Sequence, residues 1–285
     1  MMRLDLPKYK MEHAVNLCAK GITGNHLLHG KLINGKDALI KCEENYESLS
    51  RGGSLFQINP LSIYAEGNLA IVDNLTGSEL IKVYNQYFVP EGKPARIIYD
   101  ELLNSAKEKC PFCGGIGTPR TLDHFLPKSK FPQYSILTSN LVPSCFDCNI
   151  GDKGSDHALD AASQTIQPYL DLDIFFIEQW IFADYFPGND LSPGYFKYYV
   201  RPPVGWDAIN VNRCTKHFDD FKIGRRYATK AAENLGVVLN QIQLLSKRGL
   251  SMEVIKSDLL VPGITKSPFV NHWHGIMCQS LNNSF

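Results

Sequence analysis

The sequence predicts an α+β fold in which helices dominate, and two kinds of pattern support this class. Apolar side chains recur at helical spacing within the first 90 residues and again from about Phe218 to Lys247. Between these regions, residues 166–186 and 195–200 are rich in aromatic and β-branched side chains and are separated by Pro and Gly. Such segments are typical of strands or buried connectors. We therefore expect small sheets among more extensive helices.

Individual helices can be assigned from periodicity, and a break in the pattern divides the chain. We predict helices over 38–46, 78–88, 95–109, 218–247 and 270–281. The segment 89–94, Val-Pro-Glu-Gly-Lys-Pro, interrupts the early helical pattern and predicts a boundary. The resulting division is an N-terminal helical region (1–94), a cysteine-containing region (95–165) and a mixed, mainly helical C-terminal region (166–285).

Composition excludes several classes of protein. Apolar residues make up 44% of the chain, which argues against intrinsic disorder. Lys plus Arg and Asp plus Glu number 29 each, so no overall charge draws the chain to nucleic acid or to an anionic membrane. We find neither a signal peptide nor an apolar run of the roughly 18 residues that a membrane span needs, and we expect a cytoplasmic protein without a membrane partner.

Four of the eight cysteines have the spacing of a metal site. They form two Cys-x-x-Cys pairs separated by 31 residues: Cys110 with Cys113, and Cys145 with Cys148. Four thiolates in this pattern predict a closed tetrahedral Zn²⁺ site, which is structural because no coordination position stays open. The alternative is a redox protein, but neither pair opens a helix after a strand as a thioredoxin-like motif does.

The other cysteines have no ligand spacing. We expect them to be small buried hydrophobic residues. They are Cys18, Cys42, Cys214 and Cys278.

Polar residues between and after the two Cys-x-x-Cys pairs, here called the knuckles, resemble a known nuclease motif. The pair Asp123-His124 lies between the knuckles, Asn140 follows, and Asn149 comes directly after the second knuckle. This order resembles the HNH endonuclease family over about residues 110–155. The resemblance implies a central ββα-metal finger that carries the four-cysteine zinc site and is flanked by a helical N-terminal and a mixed C-terminal region.

The resemblance also implies a role for each of these residues. Asp123 and Asn149 would be oxygen ligands of a catalytic Mg²⁺ or Mn²⁺, and His124 would be the general base that activates water. Asn140 would tie the catalytic loop to the backbone and orient His124. Since such an ion is held loosely, we expect replacement of Asp123 to abolish cleavage at a nearly unchanged melting temperature.

The chain departs from the family pattern in one place. The family often has Asn-x-x-Lys after the second knuckle, whereas here Lys153 comes one position later. This leaves the third metal ligand open among Asp152, His157 and water. Lys128 and Lys130 are candidates for nucleic-acid phosphate contacts, and they would face the same side if their segment is extended. The alternative is a solvated surface loop.

Three sequence segments of this region resemble one subgroup of the family. Cys-Pro-Phe-Cys-Gly, Leu-Asp-His-Phe-Leu-Pro-Lys-Ser-Lys and Asn-Leu-Val-Pro-Ser-Cys are similar to HNH subunits of bacterial anti-phage systems, of the Septu and retron-associated types. That resemblance implies an effector nuclease in antiviral defence, an ATPase partner, and DNA as the favoured target with tRNA as the alternative. A rival interpretation is an inactive, zinc-stabilised module that binds nucleic acid or protein.

Overall fold

The computed structural model describes residues 1–61, 70–189 and 192–285. About half of the chain is helical and the strands form small sheets, which confirms the α+β class. The chain forms two compact units. The N-terminal unit comprises residues 3–111 and 117–172, and the C-terminal unit comprises 1–2, 112–116 and 173–285. The three-region division predicted above stays a prediction.

The N-terminal unit begins with helices whose ends carry recognisable caps. Asn25 accepts a hydrogen bond from the Leu28 N–H at the start of the second helix, and Thr76 forms a reciprocal capping box with Glu79 at the start of the fourth. The helices are α1 (Met11–Gly21), α2 (His26–Asn34), α3 (Lys36–Arg51), α4 (Gly77–Val83) and α5 (Arg96–Ser105). The strands β1 (Ala70–Val72) and β2 (Leu75–Thr76) pair just before α4. The predicted helix 78–88 is confirmed, with its last turn, Tyr84–Phe88, in π conformation.

A buried hairpin forms the centre of this unit. Strand β3 (Thr121–His124) pairs antiparallel with β4 (Leu141–Ser144), and Asp123 lies opposite Val142. Every residue of β4 is buried, as expected of a strand that is covered on both faces. A π-helical segment, Asp147–Lys153, follows β4. A hairpin and a helical turn therefore frame residues 123 and 124.

The C-terminal unit combines one hairpin with further helices. The strands β5 (Ile181–Asn189) and β6 (Ser192–Val200) pair antiparallel. Of the segment 166–186, predicted as strand or buried connector, only the part from Ile181 is strand, and a short helix precedes it. The helices are α6 (Ile174–Ile177), α7 (Ala208–Asp220), α8 (Ile223–Lys247), α9 (Met252–Ile255), α10 (Val261–Thr265) and α11 (Trp273–Ser284).

The long helix predicted over 218–247 is wrong at its start. The helix is interrupted at Phe221 and Lys222. Lys222 has a left-handed backbone with φ of 49°, and α8 begins after it. The turn brings Gly224 against the Phe218 ring, so closely that a Cβ on Gly224 would lie 2.9 Å from a ring carbon. Apolar periodicity in the sequence does not detect this turn. Within the described residues, every helix is too short or too polar to cross a membrane.

Candidate functional site

The four knuckle cysteines converge. All four are buried, and their sulfur atoms lie within 4.8 Å of one another. Zinc–sulfur bonds of about 2.3 Å in a tetrahedron require sulfurs about 3.8 Å apart, so the cluster has the size of a closed zinc site. Within the part of the chain that the structure describes, this is the one group of three or more His, Cys, Asp or Glu side chains that could hold a metal.

The first knuckle is a tight turn that depends on glycine. Gly114 has a left-handed backbone with φ of 63° and lies against the Tyr227 hydroxyl, where a Cβ would collide. The Cys110 N–H donates a hydrogen bond to the Gly117 carbonyl at 2.8 Å, which closes the loop. The sequence thus folds locally into a loop that turns both thiols toward one point.

We expect one zinc ion per purified chain, because a closed four-thiolate site binds zinc with an affinity that contributes on the order of 10 kcal/mol to local folding. Elemental analysis by plasma mass spectrometry measures this directly. Native protein should also resist thiol alkylation at Cys110, Cys113, Cys145 and Cys148 until zinc is removed. A zinc-free, folded preparation with rapidly alkylated knuckles would overturn the assignment.

The remaining cysteines largely match their predicted environment. Cys18, Cys214 and Cys278 are buried, and Cys42 is only half-buried. Burial raises the pKa of Cys214 and of Cys278 to about 11, so both thiols stay protonated at neutral pH. These cysteines are poor nucleophiles in the folded chain.

Asp123 is buried and forms an ion pair with Lys153. Its carboxylate is 5% exposed, and the Lys153 ammonium lies 3.0 Å from Oδ2 and 3.4 Å from Oδ1. The ammonium also donates to the His124 carbonyl at 2.7 Å. The contact with Oδ2 is ionic and lacks hydrogen-bond geometry, so Oδ2 is a buried oxygen with unused acceptor capacity. Burial raises the pKa of the Asp123 carboxyl, and Lys153 opposes that rise.

This ion pair changes the expectation for Asp123. Removal of one partner of a buried pair leaves an unpaired buried charge, which typically costs about 3–5 kcal/mol. Replacement of Asp123 by alanine should therefore lower stability, contrary to the expectation of a nearly unchanged melting temperature. Sequence reasoning did not assign a role to Lys153, although its displacement by one position from Asn-x-x-Lys was a usable signal. The π-helical segment takes up that extra residue, since its i to i+5 bond from Gly154 N–H to Asn149 O spans one residue more than an α turn.

His124 is held in one orientation. It is 7% exposed, its Nε2 lies 2.9 Å from the Ser135 carbonyl oxygen, and its ring packs edge-on against Tyr84 with centroids 4.5 Å apart. Because a carbonyl only accepts, Nε2 carries the hydrogen and Nδ1 has the lone pair. Burial, followed by the charge of Lys128, lowers the pKa of His124 to about 3. The ring is neutral at physiological pH.

Asn140 ties the two ends of the loop between β3 and β4. It is fully buried; its Oδ1 accepts from the Leu126 N–H at 2.7 Å, and its Nδ2 donates to the carbonyls of Leu126 at 3.1 Å and Tyr134 at 3.2 Å. The Asn140 carbonyl also accepts from the Phe125 N–H at 2.8 Å. These bonds fix the backbone that follows His124.

Asn149 joins the π-helical segment to β3. Its Nδ2 donates to the Thr121 hydroxyl at 2.9 Å. Thr121 and Asp123 are two residues apart on β3, so their side chains leave the same face of the strand. The structure therefore brings Asn149 to the strand face that carries Asp123.

Lys128 and Lys130 do not lie in an extended segment. Residues 127–131 form a turn in which the Lys130 and Phe131 N–H groups both donate to the Pro127 carbonyl. Both lysines are predicted to face the same side only if this segment is extended, and that requirement is not met. The Lys128 ammonium lies 4.7 Å from the Tyr84 ring centroid, and the Lys130 ammonium lies 3.1 Å from Nδ1 of His157. His157, one candidate for a third metal ligand, thus contacts a lysine.

One curated protein is similar along the whole chain. Protein Ea31 of Escherichia phage lambda is 36% identical over 298 aligned positions, which cover 100% of this chain and 98% of the phage protein. No protein-family model matches the chain. No solved structure is significantly similar to it. Identity at this level over the full length of both proteins means that the chain belongs to the family of the phage lambda protein Ea31.

Proposed function

We propose that the chain is a metal-dependent endonuclease of the HNH type that hydrolyses phosphodiester bonds. The observation that carries the proposal is the joint position of Asp123 and His124. They are adjacent at the end of β3, where Asp123 presents a buried carboxylate that holds a cation and His124 is a neutral base held by Ser135. A carboxylate and a neutral imidazole side by side supply a hard-metal ligand and a general base.

The order of elements supports the same assignment. The hairpin β3–β4 is followed by the helical segment Asp147–Lys153, which is the order of a ββα finger. The two cysteine pairs flank the hairpin: the first precedes β3 and the second begins immediately after β4 and extends into the helical segment. Zinc there would join the loop before β3 to the turn between β4 and the helical segment, while taking no part in the chemistry.

Asp123 and Asn149 would hold the catalytic ion. Asp123 Oδ2 fits this role because it is a buried carboxylate oxygen with unused acceptor capacity. The Asn149 amide nitrogen already donates to Thr121, so the amide oxygen is the atom that would ligate. When bound, Mg²⁺ or Mn²⁺ would stabilise negative charge on the scissile phosphate and on the leaving oxygen.

His124 would take the proton of the attacking water. With Nε2–H donating to Ser135, the lone pair of Nδ1 is the atom that accepts the proton. Asn140 would be a positioning residue, because its three side-chain hydrogen bonds and the bond from Phe125 N–H to its carbonyl fix the loop that follows His124. Lys128, whose ammonium is half-buried against Tyr84, and Lys130 would contact phosphates that flank the scissile one.

The nucleic acid is proposed to be DNA, with tRNA as the alternative target. The chain has no net charge, so substrate affinity must come from local basic groups or from a second protein. The effector role in antiviral defence, the ATPase partner and the cytoplasmic location stay predictions from sequence.

The experiment is a cleavage assay with the zinc-loaded full chain. Supercoiled plasmid, single-stranded DNA and total tRNA are each incubated with Mg²⁺, with Mn²⁺, or after dialysis that removes both ions but leaves zinc bound. We expect cleavage of plasmid only when Mg²⁺ or Mn²⁺ is present. Intact substrates under every condition, with folded and zinc-loaded protein, would contradict the proposal.

A second candidate is an inactive zinc-stabilised binding module. The observation that favours it is the closed state of the site: the Lys153 ammonium already neutralises Asp123, and His124 is buried. The same samples discriminate the two functions. Retention of nucleic acid in a filter-binding assay without cleavage in any metal would support the binding module.

A further inference from the structure

The Asp123 carboxylate carries a single negative charge and cannot balance an ammonium and a divalent ion together. The Lys153 ammonium contacts both of its oxygens, and the two side chains are 8% and 5% exposed. In such a water-poor site the attraction between opposite charges, and the repulsion between like charges, is several times stronger than in bulk water. A divalent ion on the same carboxylate would therefore face strong repulsion from the ammonium.

The position of Lys153 allows its ammonium to leave. Lys153 is the last residue of the π-helical segment, and Gly154 follows it with a left-handed backbone and with no atom of any described, non-adjacent residue within 4 Å of where its Cβ would lie. A lysine side chain is flexible, with an ammonium at the end of four methylene groups. A change of rotamer would move the ammonium away from Asp123 without breaking the backbone bond from Gly154 N–H to Asn149 O that closes the segment.

We propose that Lys153 is the resident cation of the Asp123 carboxylate, and that a divalent metal binds there by displacing the Lys153 ammonium. The inference rests on the proposed function, because it assumes that Asp123 is a metal ligand. Without metal, the ion pair keeps the buried carboxylate neutralised. With metal, the ammonium is released from Asp123 and from the His124 carbonyl. Lys153 is thus a positioning residue that sets metal affinity.

Titration of the zinc-loaded full chain with Mn²⁺, followed by electron paramagnetic resonance and calorimetry, tests this without measuring activity. Lys153→Met removes the competing charge at nearly constant side-chain length, and should tighten Mn²⁺ binding at least about tenfold. Lys153→Arg keeps a cation and should bind Mn²⁺ about as weakly as the wild type. Lys31→Met removes another lysine–carboxylate pair, Lys31 with Glu79 at 2.8 Å, and should leave affinity unchanged.

Mn²⁺ titration of Asp123→Asn separates the two proposals, because it shows whether the ion bound by the wild type depends on the Asp123 carboxylate. If the wild type binds Mn²⁺ in an Asp123-dependent way but Lys153→Met binds it no more tightly, this inference is wrong and the proposed function stands. If no variant binds Mn²⁺ in an Asp123-dependent way, both are wrong.

Chemical labelling of the unmutated protein gives an independent readout that does not depend on a variant folding. An amine-reactive ester, with peptide mass spectrometry, reports the accessibility of each lysine. Lys153 should be protected in the metal-free site and labelled several-fold faster when Mn²⁺ is saturating. The exposed Lys247 should react at the same rate in both states. Equal protection of Lys153 with and without Mn²⁺ would overturn the displacement.

Discussion

Replacement of Cys145 by serine is expected to release zinc and to lower the free energy of unfolding by about 4 kcal/mol or more, since the binding energy of a structural metal is part of the folding energy. Cys145 directly follows β4, and its carbonyl accepts the Asn149 N–H at 3.0 Å where the helical segment begins. Loss of the metal should therefore also disturb Asn149 and Lys153. Scanning calorimetry and zinc analysis of the same samples measure both effects.

The control for this prediction is Cys42→Ser. Cys42 is half-buried and lies outside the four-cysteine cluster, so the same atomic change should cost less than about 1 kcal/mol and leave one zinc per chain. Equal melting temperatures for Cys145→Ser and Cys42→Ser, with zinc retained in both, would contradict a structural role for the cluster.

Local patterns in the sequence predict the parts of this fold that depend on near neighbours. The Cys-x-x-Cys spacing anticipates the sulfur cluster because two residues between cysteines allow one tight turn to direct both thiols. Helical periodicity locates α3 and α5 because an amphipathic face is a local property. The antiparallel hairpin β5–β6 is only partly anticipated. Its aromatic residues indicate strand, but nothing in the pattern separates the short helix α6 from the start of β5.

The environments of His124 and Asp123 cannot be predicted from local sequence patterns. His124 packs against Tyr84, which lies 40 residues earlier, and is bonded to Ser135 in the loop between β3 and β4. The ion pair of Asp123 with Lys153 depends on how the π-helical segment turns after the second knuckle. Residue types and order therefore identify the candidate residues. Their protonation, exposure and ionic partners require the folded chain.

Replacement of His124 by glutamine is expected to reduce cleavage by about 10²–10⁴-fold, which is the usual contribution of a general base. Glutamine is preferable to alanine here because the ring is buried and its Nε2 bonds to Ser135. A side-chain amide can still donate to that carbonyl, whereas alanine would leave a cavity and an unpaired acceptor. Zinc content and melting temperature should stay close to those of the wild type while the first-order cleavage rate falls.

His217 provides a matched control in the C-terminal unit. It is buried, its Nε2 lies 2.9 Å from the Phe112 carbonyl, and burial lowers its pKa to about 3, as for His124. His217→Gln therefore makes the same chemical change in a similar environment, at a residue outside the Asp123-His124 pair, and should keep the cleavage rate. If the two variants lost activity in parallel with stability, the loss at His124 would be structural. If His124→Gln cleaved at the wild-type rate, His124 would not be the base.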